Sequence, residues 1–143
     1  MSVTVRQMLA GRGPAISVAP STTVFEALQR LAEHNIGALL VMDGDHLAGI
    51  FSERDYARKV ALRGLNSKDT LVGDLMTGKL VTVGQSWTAE QCMALMTEHH
   101  IRHLPVVEGD RVLGVISIGD AVKAVVDEQH FVIGQLTNYI SQS

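Results

Sequence analysis

Two serines and two aspartates carry the strongest chemical signal in this chain. Ser52 and Asp55 stand in Gly49-Ile50-Phe51-Ser52-Glu53-Arg54-Asp55, and Ser117 and Asp120 in Gly114-Val115-Ile116-Ser117-Ile118-Gly119-Asp120. Both stretches reduce to Gly-x-x-Ser-x-x-Asp after an apolar run. Ser-x-x-Asp ahead of a helix is a capping signature that satisfies orphan backbone donors. The same helix start presents free N–H groups and the positive end of a dipole, which favour a phosphate. An ionised Asp one turn further on only accepts, and its two oxygens match the two adjacent hydroxyl donors of a ribose. Capping accounts for Ser and Asp, but not for a Gly three residues before each Ser, nor for the duplication. Adenosine-type ligands fit the arrangement.

The elements that must position these groups are also written twice. Gly49 and Gly114 define an offset of 65, and Val18, Ser21, Thr23, Glu33, His34, Ile36, Leu39 and Val41 each recur at that offset. Each unit opens on a short apolar strand, Ile16-Ser17-Val18 or Val81-Thr82-Val83. A capping-box pattern follows, Thr23-x-x-Glu26 or Thr88-x-x-Gln91, and then a helical stripe, Val24, Ala27, Leu28 and Leu31 or Ala89, Cys92, Met93 and Met96. Two β-type runs come next, Ala38 to Met42 with Leu47 to Phe51, and Leu104 to Val107 with Val112 to Ile116, separated by Asp43-Gly44-Asp45 and Glu108-Gly109-Asp110. They read as hairpins. The motif Gly lies in the last strand, where the lack of a side chain lets another backbone or a flat ligand approach. A second helix runs from about Glu53 to Arg63 and ends near Gly64; its counterpart continues to about Ile140 with an apolar stripe that includes Val122, Val126, Ile133 and Leu136. The polar Asn66-Ser67-Lys68-Asp69 marks the seam, so residues 1–70 form the first unit with an N-terminal segment and linker, and residues 71–143 the second.

Composition narrows the function. The chain has 143 residues, 46% hydrophobic and 4% aromatic, which suits helix-on-sheet packing of Val, Leu, Ile, Ala and Met. A net charge of -3 without a dense Lys/Arg block speaks against nucleic acid as a partner. No secretory leader is legible in the first residues and no apolar run is long enough to span a bilayer, so a cytosolic, membrane-free protein is expected. Cys92, in its helical stripe, reads as a buried inert thiol. His99-His100-x-x-His103 crosses a helix-to-strand junction without a carboxylate or cysteine companion, so no metal site is expected. Gly11-Arg12-Gly13 reads as a loop. No acid-base pair or nucleophile motif stands out, and no catalytic residue is assigned.

The strand-helix-strand-strand-helix unit ending in apolar-Gly-x-x-Ser-x-x-Asp, in tandem, resembles a pair of CBS domains, the module named after cystathionine β-synthase. The resemblance covers nearly the whole chain and includes Leu104-Pro105-Val106-Val107. It implies an α/β fold of two tandem β-α-β-β-α units, one small mixed sheet each, packed as a pseudo-two-fold pair. It further implies a regulatory, non-catalytic module that binds AMP foremost, or ADP, ATP, NAD or S-adenosylmethionine, in the cleft between the units and signals to a partner protein of unstated identity. Carried over by position, Asp55 and Asp120 hold ribose, Ser52 and Ser117 face phosphate or ribose, and adenine sits beside Val18 or Val83. Arg54, Arg102 and His103, with Pro105 following, are the phosphate-side candidates; Gly37-Ala38 departs from that basic form in the first unit. A homodimer through the helices is expected. A purely structural dimerisation module with empty pockets is the rival reading.

Overall fold

The computed structural model describes residues 2 to 142. Two units of helix on sheet lie in tandem, each with its own core, and their elements follow the duplicated pattern. In the first unit β1 (Ser17–Val18) runs parallel to β2 (Ala38–Asp43), which pairs antiparallel with β3 (His46–Ser52). In the second unit β4 (His103–Glu108) pairs antiparallel with β5 (Arg111–Ser117), and the expected opening strand is reduced to a single parallel bridge, Val83 to Val106. The register is equivalent in both: Ala38 faces Ser52 and His103 faces Ser117. Gly44 and Gly109 turn the two hairpins with φ of +61° and +59°, values a side chain would strain.

The helices follow the capping signals. α2 (Val24–His34) starts at Thr23, whose side chain accepts from the Glu26 N–H, and buries Val24, Ala27 and Leu31. α4 (Ala89–His99) starts at a reciprocal capping box of Thr88 and Gln91 and buries Ala89, Cys92 and Met96. Glu26 makes no such return bond, so the first helix has half of the expected box. Asn35 and His100 close these helices in the left-handed conformation. The helix expected after Ser52 is a single α turn, α3 (Glu53–Asp55), that widens into a π-helical stretch over Tyr56–Ala61. Its counterpart α5 (Ile118–Gln142) is regular, and its outer half leaves Phe131, Val132, Ile133, Leu136, Tyr139 and Ile140 exposed. Among the described residues no helix is long and apolar enough to cross a membrane.

The two units are interlocked by the segments that lead into them. α1 (Val5–Leu9) does not pack on the unit that follows it. Val5 is fully buried in the core of the second unit, the Val5 N–H donates to the Trp87 carbonyl, and the Ala89 N–H donates to that of Val3. Conversely Val72, Leu75 and Met76, which lead into the second unit, complete the core of the first. The seam read at residues 70 and 71 therefore divides the sequence repeat, while the packing divides the chain by exchange of lead-in segments. The exchange follows a second echo, Val5-x-x-x-Leu9-x-Gly11 and Val72-x-x-x-Met76-x-Gly78, at an offset of 67 instead of 65.

The motif glycines make room for these crossings. A Cβ on Gly49 would meet Met76 Sδ at 2.7 Å and the Thr77 carbonyl at 2.8 Å; one on Gly114 would meet Leu9 Cδ2 at 2.9 Å. The close approach expected at these glycines is thus made by the protein's own chain. Gly49→Ala should cost about 1–3 kcal/mol in urea denaturation, the usual penalty of overpacking, and Gly114→Ala less, because a leucine methyl can yield where a backbone carbonyl cannot. Equal stability of Gly49→Ala and the parent chain would refute this account.

Candidate functional site

Each Ser-x-x-Asp sits where the last strand of a hairpin becomes a helix, and local hydrogen bonds shape it. The Ser52 N–H and Oγ donate to Asp55 Oδ2 at 2.9 and 3.1 Å, and the Asp55 N–H donates back to Ser52 Oγ at 3.2 Å. In the second unit the Ser117 N–H donates to Asp120 Oδ2 at 2.8 Å and the Asp120 N–H to Ser117 Oγ at 3.0 Å. Each junction is tied to the preceding strand entry: the Glu53 N–H donates to the Gly37 carbonyl and the Ile118 N–H to that of Arg102. The capping role is real in both units, and both aspartates still line cavities.

Two clefts open between the units, and each combines the motif of one unit with the lead-in and strand entry of the other. The first, about 460 Å³, is lined by Ser52, Arg54 and Asp55 together with Leu80, Val81, Arg102, His103 and Pro105. The second, about 550 Å³, is lined by Ser117 and Asp120 together with Pro14, Ala15, Ile16, Gly37 and Ala38. Arg102, His103 and Pro105 thus stand beside Asp55, the motif of the other unit. Neither Val18 nor Val83 lines either cleft. Val83 is fully buried in the second core and Val18 packs against the first; Ile16 and Val81, two residues earlier, hold the cleft-facing places. The inter-strand bonds of Val83 turn its side chain inward, which the strand pattern alone does not disclose.

The electrostatics of the clefts differ. Arg54, Arg58, Lys59, Lys79 and Arg102 line the Asp55 cleft against Glu53 and Asp55 alone. Arg54 reaches across the units, its Nη1 donating to the His100 carbonyl at 3.0 Å. In the Asp120 cleft Arg12 faces Asp120, with His34 and His103 as the other ionisable side chains. His103 lines both clefts and lies against Gly37, where a Cβ would approach its ring to 3.2 Å. Burial holds its imidazole below the ordinary histidine range, against the pull of Asp120 and Glu53 and with help from Arg102.

Both carboxylates are engaged. Asp55, 9% exposed, has Oδ2 held by Ser52 and Oδ1 held by Thr77 Oγ1 at 3.3 Å and Lys59 Nζ at 3.1 Å, which fills the acceptor capacity of a carboxylate. Asp120 is more open, and Arg12 holds it in a forked pair, Nη2 to Oδ1 at 2.7 Å and Nη1 to Oδ2 at 3.2 Å. Burial alone would push the Asp120 carboxyl up, but the hydrogen bonds from Arg12 and Ser117 outweigh it and hold it below the usual carboxylate range. Sequence reasoning missed Arg12, Lys59, Thr77 and Lys79. The echo at offset 67 aligns Arg12 with Lys79, and this was the signal available for those two. Cys92 is fully buried, which raises its thiol, and no group of His, Cys, Asp or Glu among the described residues is arranged to hold a metal ion.

Comparison with known proteins agrees with this architecture. The family model of the CBS domain matches twice, over residues 5–62 and 72–136. A mitochondrial CBS domain-containing protein of Arabidopsis thaliana, CBSX3, is 44% identical over 123 residues, 82% of this chain and 60% of that protein. YhcV of Bacillus subtilis, also CBS domain-containing, is 32% identical over 73% of this chain and 74% of its own length. The match therefore spans about 60% of the length of the Arabidopsis relative. Among solved structures, a CBS-domain protein from Burkholderia ambifaria MC40-6 superposes with a TM-score of 0.83 at 48% identity, covering 89% of this chain and 96% of the other. The CBS pair of MJ0100, solved in complex with 5′-methylthioadenosine and S-adenosyl-L-methionine, superposes at 0.78 with 23% identity over 90% and 99% of the two chains. Two matches to one family model, spanning both halves of an interlocked fold, place this chain in the CBS-domain family as a tandem pair.

Proposed function

We propose that the protein is a regulatory module that binds an adenosine nucleotide between its two units and passes the signal to a partner protein. The observation that carries this reading is the convergence of Arg54, Arg58, Lys79 and Arg102, drawn from both units, on the cleft that also contains Ser52 and Asp55. Such a concentration of cations favours a ligand with one or more phosphates, AMP, ADP, ATP or NAD, over a cationic one such as S-adenosylmethionine. The MJ0100 pair supports the adenosyl part of the reading, since its fold is the same and it holds two adenosyl compounds. Ile16 and Val81 take the places beside adenine that the sequence assigned to Val18 and Val83. For ribose to reach Asp55 the contacts from Thr77 and Lys59 must exchange for hydroxyl donors, and Lys59 then becomes available to phosphate. No catalytic step is assigned.

Signalling requires differential affinity. A ligand that touches both units favours one relative arrangement only to the extent that it binds that arrangement more tightly. The exposed apolar residues of α5, with Val122, Val126, Ile133, Leu136 and Ile140 spaced four, seven, three and four apart, supply a seam for a second copy of the chain, and a homodimer through the helices is part of the proposal. The same exposed face is the observation that favours the rival reading, a structural module with no physiological nucleotide.

Calorimetric titration with AMP, ADP, ATP, NAD and S-adenosylmethionine tests the reading. Binding of at least one phosphorylated compound, weakened by added salt, is expected; silence toward the whole panel would leave the structural module standing. Arg102→Ala should lose about 1.5–3 kcal/mol of that binding, the worth of a charge-assisted hydrogen bond, with little effect on the unfolding midpoint of the free protein.

His103 gives a pH signature. Its folded pKa lies below the unfolded value, so the unfolded chain takes up the proton first, and the free protein loses stability as the pH falls through the ordinary histidine range. A bound phosphate offsets the cost of protonating His103. Stabilisation by nucleotide should therefore grow as the pH falls from 7.5 toward about 5.5, above the range in which Asp120 titrates, and His103→Gln should flatten the trend. A trend of the opposite sign in thermal-shift measurements would remove His103 from the phosphate side.

A further inference from the structure

The Asp120 cleft contains a cation whose placement has a consequence for selectivity. Asp55 receives its cation from its own helix, four residues on, at Lys59; the equivalent place after Asp120 is Ala124, so the second carboxylate must be neutralised from elsewhere. Arg12 does this. Its Nη1 also reaches the Val115 carbonyl at 3.4 Å. The arginine is brought there by α1, whose Val5 is buried in the second core and whose Leu9 lies over Gly114. Beyond that anchor two glycines flank the arginine: Gly11 has φ +79°, and a Cβ at Gly11 or Gly13 would meet nothing within 4 Å.

We infer that Arg12 makes the Asp120 cleft selective for a nucleoside that carries its own anion and unfavourable to the bare nucleoside, an inference that rests on the adenosine-nucleotide reading above. The Ser117 N–H and two Arg12 donors already occupy three acceptor positions of the carboxylate. A carboxylate has about four, and a vicinal diol needs two, so ribose cannot engage Asp120 without releasing at least one Arg12 N–H. Among the described residues lining this cleft Asp120 is the single acid. A displaced guanidinium therefore has no second counter-ion among the described residues lining the cleft and stays poorly paired in a partly enclosed site. A phosphate attached to the same sugar supplies the missing partner and accepts the fork of donors that Asp120 gives up. With a bare nucleoside the cost of breaking the pair has nothing to offset it.

The test isolates this cleft by Arg102→Glu, which reverses a charge in the Asp55 cleft and does not line the other. In that chain AMP should bind about 30-fold more tightly than adenosine, the discrimination expected when a charged hydrogen-bonding partner is either met or left unmet. Adding Arg12→Gln should bring the two affinities to within about 3-fold by weakening AMP and strengthening adenosine, while Arg12→Lys, which keeps the charge but not the fork, should fall between the two. The gain for adenosine is the decisive sign, since simple loss of a structural ion pair would weaken both compounds; unfolding midpoints of the three variants confirm that each is folded. Unchanged or weaker adenosine binding in Arg12→Gln overturns the inference. So does a silent Arg102→Glu chain when the parent binds AMP, an outcome that leaves the nucleotide reading intact. A parent chain that binds no adenosine compound removes both.

Discussion

The close passage of chain over Gly49 and Gly114 is the constraint on which the rest of this structure depends. At each glycine the segment that leads into one unit crosses the hairpin of the other with less space than a Cβ needs. Because of that crossing, Val5 completes the second core and Val72 the first, and neither core is whole without residues from the other side of the repeat. The same crossing brings Thr77 to Asp55 and Arg12 to Asp120, so the partner of each motif carboxylate is delivered by the packing that joins the units. Stability and site geometry share one cause.

From this shared plan the two clefts diverge by few residues. In the first, the motif aspartate is sealed by its own helix and by Thr77, and further cations from both units line the cleft around it. In the second, Ala124 stands where Lys59 would be, and one arginine on a glycine-flanked loop provides the neutralising charge. His103 belongs to both clefts, packed against the Gly37 that occupies the duplicate position of Arg102. A side chain at 37 would crowd the imidazole, so the small residue at the first strand entry and His103 at the second fit together in the packing.

Membership of the CBS-domain family explains the pseudo-symmetric architecture, and the departures from symmetry give the two clefts different charges. Duplicated folds conserve what holds the chain together, here the hairpins, the caps and the interdigitated lead-ins. Charges on the cleft walls are free to differ because they touch solvent more than core.

Much of this was legible from the chain alone, for a definite reason. Helix caps, hairpin turns and amphipathic stripes are local: Thr88 and Gln91, Gly44, and the Val24-Ala27-Leu31 stripe act within a few residues of one another, and the offset of 65 repeats their positions. The aspartates were legible because a capping motif with an unexplained glycine was written twice. What depended on tertiary structure was which half of the chain each group serves. The inward turn of Val83 follows from its bridge to Val106, and the pairing of Arg102 with the cleft of Asp55 and the seat of Arg12 on Asp120 follow from the way the two units meet. No local period reports on that arrangement, because the contacts that decide it join residues separated by tens of positions, and the two-residue difference between the offsets hides the echo.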